Sequence, residues 1–321
     1  VRDTTSAFGR RTFLLAATAV GVTGSMGIPA GAGAAAPLPR GWSGLSRRVG
    51  AFTVLPLLDA AGPFFLDRQA AFPDATAADW ARARQVDPDA FGPGDSWHLD
   101  FRCFAVRGPR DRLVLVDTGV GPDGSPAAAW APTPGRLPSA LAHAGIDPAD
   151  VDTVVLTHLH EDHFGWSVGL DGVPVFPNAR YVVQRRETAA LPDGDAARAY
   201  VVDPLRASGQ LWEVDGVTGL AAGRSGGAVR VVPTPGHTPG HQSVVVDGRA
   251  EQVVVTGDVL VHAVQLVNPD VGYRFEADPD AARETRRRLL DSAGDRRTVL
   301  ATAHLNRPWV ALDGPRPRPL R

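Results

Sequence analysis

Apolar and polar positions divide most of the chain into short strands separated by turn-forming stretches. Val54-Leu55-Pro56-Leu57-Leu58, Leu99 to Val106 and Leu113-Val114-Leu115-Val116 read as early strands, with Cys103 inside the alternation of the second. A Pro/Gly-rich loop follows, then a short helix near Pro138 to Ala144 that Gly145 stops. Asp150 to Leu156 ends in the apolar run Val154-Val155-Leu156. Ala179 to Gln184, Val229-Arg230-Val231-Val232, Val253-Val254-Val255 and Thr298 to Ala303 continue the strand pattern. Asp278 and Pro279 open a later helix, on which Arg286-Arg287-Arg288 reads as a solvated face. Periodicity by itself yields a mixed α/β class and nothing finer.

The ends of these runs carry the chemistry. Thr157-His158-Leu159-His160-Glu161-Asp162-His163 follows Val154-Val155-Leu156 and packs three imidazoles and a carboxylate into six positions. Neutral imidazole and carboxylate are the ligands that zinc and similar divalent ions select. Buried without a cation, so many polar groups would be left unsatisfied. In extended chain His158 and His160 point to one side, while Asp162 and His163 lie a step on, where the chain turns into a helix. One pair can face one ion and the other pair a second. Two ions need further ligands, and three more runs supply candidates: His237 in Thr234-Pro235-Gly236-His237-Thr238-Pro239-Gly240-His241, Asp258 after Val253 to Gly257, and His304 after Thr298 to Ala303. Sites gather in this way beyond the carboxyl ends of strands. His98, His143 and His241 read as packed or solvent-facing.

With these motifs in view, the chain resembles the metallo-β-lactamase fold superfamily over roughly residues 50 to 312. Thr157 to His163 matches its T-H-x-H-x-D-H signature, and the His237 loop, the Gly257-Asp258 pair and His304 match its remaining metal motifs. The resemblance implies an αββα four-layer sandwich with a dimetal cleft at one edge and two Zn2+ per chain. It implies that His158, His160 and His237 hold the first ion, that Asp162, His163 and His304 hold the second, and that Asp258 bridges them. Asp117 matches a position that buttresses such sites from behind. The implied reaction is attack by a metal-bridging hydroxide on a carbonyl or phosphoryl centre, with Asp162 both binding metal and orienting the nucleophile. His262 is the candidate titratable group on the substrate side. Phe64, Phe65, Phe164 and Trp166 are the candidate pocket walls, with Gln265, Tyr273 and Phe275 next in line.

Composition narrows the class of partner. The chain has 321 residues, 44% hydrophobic content and a formal charge of −2, and no low-complexity linker divides it, which fits one enzyme-sized domain with a small-molecule substrate and without a polyanionic partner. Every basic residue is arginine, so a local arginine run is not read as nucleic-acid binding. Phe8-Gly9-Arg10-Arg11-Thr12-Phe13-Leu14 resembles the twin-arginine export motif, followed by small-residue sites at Ala30-Gly31-Ala32 and Ala32-Gly33-Ala34. The organisation expected is a signal over 1–34, a lead segment over 35–49, a catalytic domain over 50–312 and a flexible tail over 313–321. The mature protein is then exported and not membrane-anchored, and its oligomeric state is left open. Cys103 is the only cysteine, so no intramolecular disulfide forms, and it reads as an inert buried thiol.

Substrate choice divides within the superfamily. The run from Thr234 to Ser243 resembles N-acyl-homoserine lactonases, while Asp258 to Gln265 and the arginine-rich helix are closer to the methyl-parathion-hydrolase-like branch. The tyrosine that lactonases place shortly after the bridging aspartate is absent. A lactonase or related carboxylic-ester hydrolase ranks first and a phosphotriesterase-like hydrolase second. A β-lactamase, an iron-dependent oxidoreductase of the same fold and a non-catalytic zinc-binding domain follow.

Overall fold

The computed structural model describes residues 45–223, 227–294, 297–313 and 316–320. The expected signal over 1–34 lies outside them. Two seven-stranded sheets account for most of the regular structure. The first runs in chain order through β1 (Arg47–Val49), β2 (Phe52–Pro63), β3 (His98–Arg107), β4 (Leu113–Val116), β5 (Thr153–Val155), β6 (Arg180–Gln184) and β7 (Leu211–Val214). The second runs through β8 (Thr218–Ala222), β9 (Ala228–Pro233), β10 (Gln242–Asp247), β11 (Gln252–Val255), β12 (Thr298–Ala301), β13 (Trp309–Asp313) and β14 (Arg316–Leu320).

The alternation of the strands explains why there are four layers. Val114 and Val116 of β4 share a buried cluster with Val244 and Val246 of β10 and Val253 and Val255 of β11, so these faces meet between the sheets. The intervening residues face outward and are buried too, which requires a helical cover on each side. Leu113 and Leu115 pack with Leu137 and Leu141 of the helix Leu137–His143. Val245, Val254 and Leu300 pack with Ala83 and Val86 of the helix Ala77–Val86, and with Ala263 and Val264 of the helix Ala263–Val267. The result is an αββα sandwich. Cys103 sits in the outer cluster of the first sheet, where burial pushes its thiol well above the ordinary value.

Two expectations are corrected. The stretch expected as a flexible tail contains β14, which pairs antiparallel with β13 from Trp309↔Leu320 to Asp313↔Arg316 and so completes the edge of the second sheet. Arg286 does not belong to a solvated face. It is fully buried on the inner side of the helix Pro279–Gly294, donating to the carbonyls of Val259, Pro269 and Val271 and pairing with Glu276 at 2.9 Å. Arg287 and Arg288 do face solvent.

Strand direction decides where chemistry collects. β4, β5 and β6 are parallel neighbours, as are β11 and β12. Their carboxyl ends feed Asp117, the Thr157 to His163 segment, the helix Arg185–Ala190, the Gly257-Asp258 pair and the loop carrying His304. Backbone bonds from Asp100 and Arg102 of β3 to the carbonyls of His304 and Ala303 tie the first sheet to that last loop.

Candidate metal centre

Seven side chains from four segments converge in two sets. His158, His160, His237 and Asp258 place ligand atoms within 4.8 Å of one another, and so do Asp162, His163 and His304. Asp258 lies between the sets. Its Oδ2 is 3.2 Å from His237 Nε2 and 3.9 Å from His158 Nε2, while its Oδ1 is 3.3 Å from His163 Nε2 and 3.1 Å from His304 Nε2. Asp162 Oδ2 completes the second set, 3.6 Å from His163 Nε2 and 3.5 Å from His304 Nε2.

The surrounding hydrogen bonds fix the imidazole tautomers. Asp117, buried behind the site, accepts from Thr157 N at 2.7 Å, Thr157 Oγ1 at 2.9 Å and His163 Nδ1 at 2.8 Å. Its backbone takes a left-handed φ of 59°, which Asp tolerates better than most residues. With the Thr157 hydroxyl proton given to Asp117, its oxygen accepts from His158 Nδ1 at 3.1 Å. His304 Nδ1 donates to the Asp100 carbonyl at 3.0 Å. Each of these rings therefore turns an Nε2 lone pair toward Asp258.

These lone pairs have no protein donor to meet. His158 Nε2 and Asp258 Oδ1 are buried without a hydrogen-bond partner, and His163 Nε2 and His304 Nε2 face each other at 3.3 Å. Two lone pairs and two carboxylate oxygens pointed at one spot repel unless a cation lies among them, so the residues present fit a metal pair. Without metal the site draws protons unevenly. Burial opposes charge on His163, but Asp258, Asp162 and Asp117 outweigh it and hold its pKa well above the ordinary value; Asp258 and Asp162 likewise raise His304. Burial and neighbouring imidazoles push His158 and His237 well below theirs. Burial disfavours the charged form of Asp258, yet His304, His163 and His237 together bring its pKa well below the carboxylate range.

Residues that sequence reasoning left aside position these ligands. His241 Nε2 accepts from Asp258 N at 3.0 Å, and its Nδ1 meets Thr234 Oγ1 at 2.9 Å. Burial pushes its pKa down to about 3, so it stays the neutral acceptor that this bond requires. Gly257 is needed in the same place, because its φ is +52° and a Cβ there would come within 2.6 Å of His241 Nε2. Asp59, buried beneath the loop after Asp117, accepts from Val120 N, Leu137 N and Trp166 Nε1; burial raises its pKa to about 6.

Three site expectations are corrected. Phe164 is fully buried in the outer core of the first sheet, and Trp166 packs against that core with its indole bound to Asp59. His262 lies in a cage of Phe72, Trp80, Phe91 and Trp97 with ring centroids 5.4–5.6 Å away, sealed from the cleft. Its Nδ1 accepts from Val264 N as a cap on the following helix, and burial lowers its pKa to about 3. The cleft over the candidate ligands, about 310 Å³, is walled by Phe64 and Phe65 from the first expected set, by Tyr273 and Phe275 from the second, and by Trp130. Tyr273 stacks on the His237 ring at 5.9 Å, and Phe65 and Phe275 meet at 6.1 Å. Gln265 is turned away, accepting from Val261 N.

Comparison with known proteins places this geometry. A family model described as the metallo-beta-lactamase superfamily matches residues 102–304. N-acyl homoserine lactonase AttM of Azorhizobium caulinodans is 40% identical over 109 residues, 32% of this chain and 38% of that protein. Metallo-beta-lactamase domain-containing protein 1 of Mus musculus is 36% identical over 191 residues, 59% of this chain and 58% of that protein. The matched stretch thus spans less than two thirds of these relatives. Among solved structures, the hydrolase AbOPH of the beta lactamase superfamily superposes with a TM-score of 0.70 at 24% identity, covering 86% of this chain and 97% of that one. The dizinc quorum-quenching lactonase AidC superposes at 0.68 and 20% identity, covering 86% and 96%. At these identities the likeness is one of fold.

Proposed function

The chain belongs to the metallo-beta-lactamase superfamily, and from that premise we propose that it is a dizinc hydrolase of neutral lactones or related carboxylic esters carrying an apolar arm. The observation that carries this reading is the single carboxylate of Asp258 set between two complete ligand groups at the floor of an aromatic cleft. His158, His160, His237 and Asp258 would hold one ion, and Asp162, His163, His304 and Asp258 the other. Bound there, two divalent cations supply Lewis acidity toward the substrate oxygen and a water acidic enough to attack at neutral pH.

The chain's own residues do the rest. Asp162 lines the cleft as well as facing the second set, so its carboxylate is placed to orient the attacking water and take its proton. Tyr273 lines the cleft and stacks on the His237 ring, so its phenol is placed to donate to a substrate oxygen. The aromatic wall binds the apolar arm and excludes bulk water.

The lining also speaks to charge. Among the described residues the cleft carries Glu161, Asp162, Asp195 and Asp258, and no arginine. Beyond the ions held by Asp162 and Asp258, a substrate bearing its own carboxylate, as a β-lactam does, meets Glu161 and Asp195 and no arginine to receive it. A neutral phosphotriester meets no such obstacle and is the second reading. A panel of N-acyl lactones, aryl esters, a phosphotriester and β-lactams decides between them. We expect kcat/KM to be highest for lactones or esters, to rise with acyl length, and to be at least about 100-fold lower for β-lactams, a difference of roughly 2.7 kcal/mol in transition-state binding. A β-lactam turned over best would sink the reading.

Export remains part of the proposal, supported by the Arg10-Arg11 motif alone. Exchange of both for lysine should strand the protein in the cytoplasm, because the motif is read by a receptor and not as charge. Secretion of that variant at the normal level would refute it.

A further inference from the structure

Glu187, on the short helix after β6, is buried, and among the described residues its carboxylate has no cationic partner within hydrogen-bonding reach but accepts from three neutral donors. Oε1 accepts from Leu159 N at 2.9 Å, and Oε2 accepts from Thr238 Oγ1 and Gly240 N at 2.8 Å each. Leu159 stands between His158 and His160, and Thr238 follows His237. One carboxylate thus clasps the two loops that carry all three histidines of the first set. The packing leaves no slack, since a Cβ at Gly240 would lie 2.2 Å from Glu187 N. None of its hydrogen bonds reaches Asp162, His163 or His304. The second set is held from elsewhere, His163 by Asp117 and His304 by the Asp100 carbonyl.

We propose that Glu187 is a positioning residue for the first half-site only, setting the geometry of His158, His160 and His237 and hence the affinity for one of the two ions. This rests on the reading of the seven side chains as a metal site. Asp117 is its counterpart with a different reach, touching His163 directly and His158 through Thr157. Glu187→Gln keeps the shape but offers one acceptor oxygen and one NH2 group, so at least one of the two loops faces a donor where it needs an acceptor.

The test is zinc titration of chelator-stripped protein against a chromophoric competitor, which needs no substrate. Wild-type protein should bind two ions tightly. Glu187→Gln should leave one unchanged and weaken the other by about 10–100-fold, the usual effect of losing such a support. Asp117→Asn should weaken both. In a His304→Ala background, where the second set is already opened, adding Glu187→Gln should weaken the remaining tight ion by the same factor of about 10–100. Thr238→Val, which deletes one of the three bonds without changing shape, should give a smaller shift in the same direction and covers the case in which Glu187→Gln fails to fold. Equal weakening of both ions by Glu187→Gln and by Thr238→Val, or no change in either, would overturn the assignment. Wild-type protein that binds no zinc would instead overturn the metal site itself, whatever the substrate proves to be.

Discussion

Asp258→Ala should abolish turnover, lowering kcat/KM by more than the roughly 10–100-fold that follows loss of an outer-shell support, while Cys103→Ser leaves it nearly unchanged. The asymmetry follows from position. Among the described residues Asp258 is the only carboxylate that reaches both ligand groups, one oxygen toward each. Removing it takes a negative charge from between four buried imidazoles and leaves no group to bridge the two ions of the proposed centre. Metal content should fall with activity, because the same oxygens serve both. Cys103 is as deeply buried as Asp258 but sits in the outer apolar cluster of the first sheet and belongs to neither ligand group. A steady-state assay with elemental analysis on the same preparations checks this. Comparable losses in the two variants would show that burial, and not placement between the ligand sets, governs the effect.

The seven candidate ligands were legible in the sequence because metal chemistry restricts residue type. Few side chains coordinate divalent ions, and strands that end on one edge deliver them at recognisable places. Glu187 was not legible. A glutamate in Arg185-Arg186-Glu187-Thr188 has the composition of a solvated helix turn, and only contacts 28 and 53 positions away turn it into a buried anchor. Arg286 misled for the same reason: three consecutive arginines look alike in sequence, but a helix sends one of them inward, where Glu276 and three carbonyls receive it. The aromatic residues show the limit most clearly. Phe164 and Trp166 adjoin the signature, yet the helical turn at Glu161–Phe164 carries them to the far side of the strand and into the core. Tyr273 and Phe275 are distant in sequence and reach the cleft through the loop that precedes the helix Pro279–Gly294. Adjacency to a motif does not determine which way a ring faces.

Stripping the protein with a chelator should eliminate activity and lower the melting temperature by more than about 10 °C, with both restored by zinc. Two ions, each present at about 1,000 times its dissociation constant, contribute on the order of 4 kcal/mol apiece, and a domain of this size loses roughly 2 °C per kcal/mol. The loss should also depend on pH in a stated direction. In the stripped protein the only cations left to separate the facing lone pairs are protons, and His163 and His304 are the groups whose pKa is raised. A histidine whose folded value lies above its unfolded 6.5 adds stability that is fully present below pH 6.5 and disappears as pH rises through the folded value. His158, His237, His241 and His262 are shifted the other way, so they destabilise only as pH falls through 6.5 and lower, and contribute no change above it. Between neutral pH and the range where thiols and phenols ionise, the stripped form should therefore lose stability while the zinc-loaded form, whose ligands are already deprotonated, does not. The gap between the two melting curves should widen with pH. A stripped protein that melts with the loaded one at every pH would show that the seven groups hold each other without metal, and the dizinc reading would fall with that result.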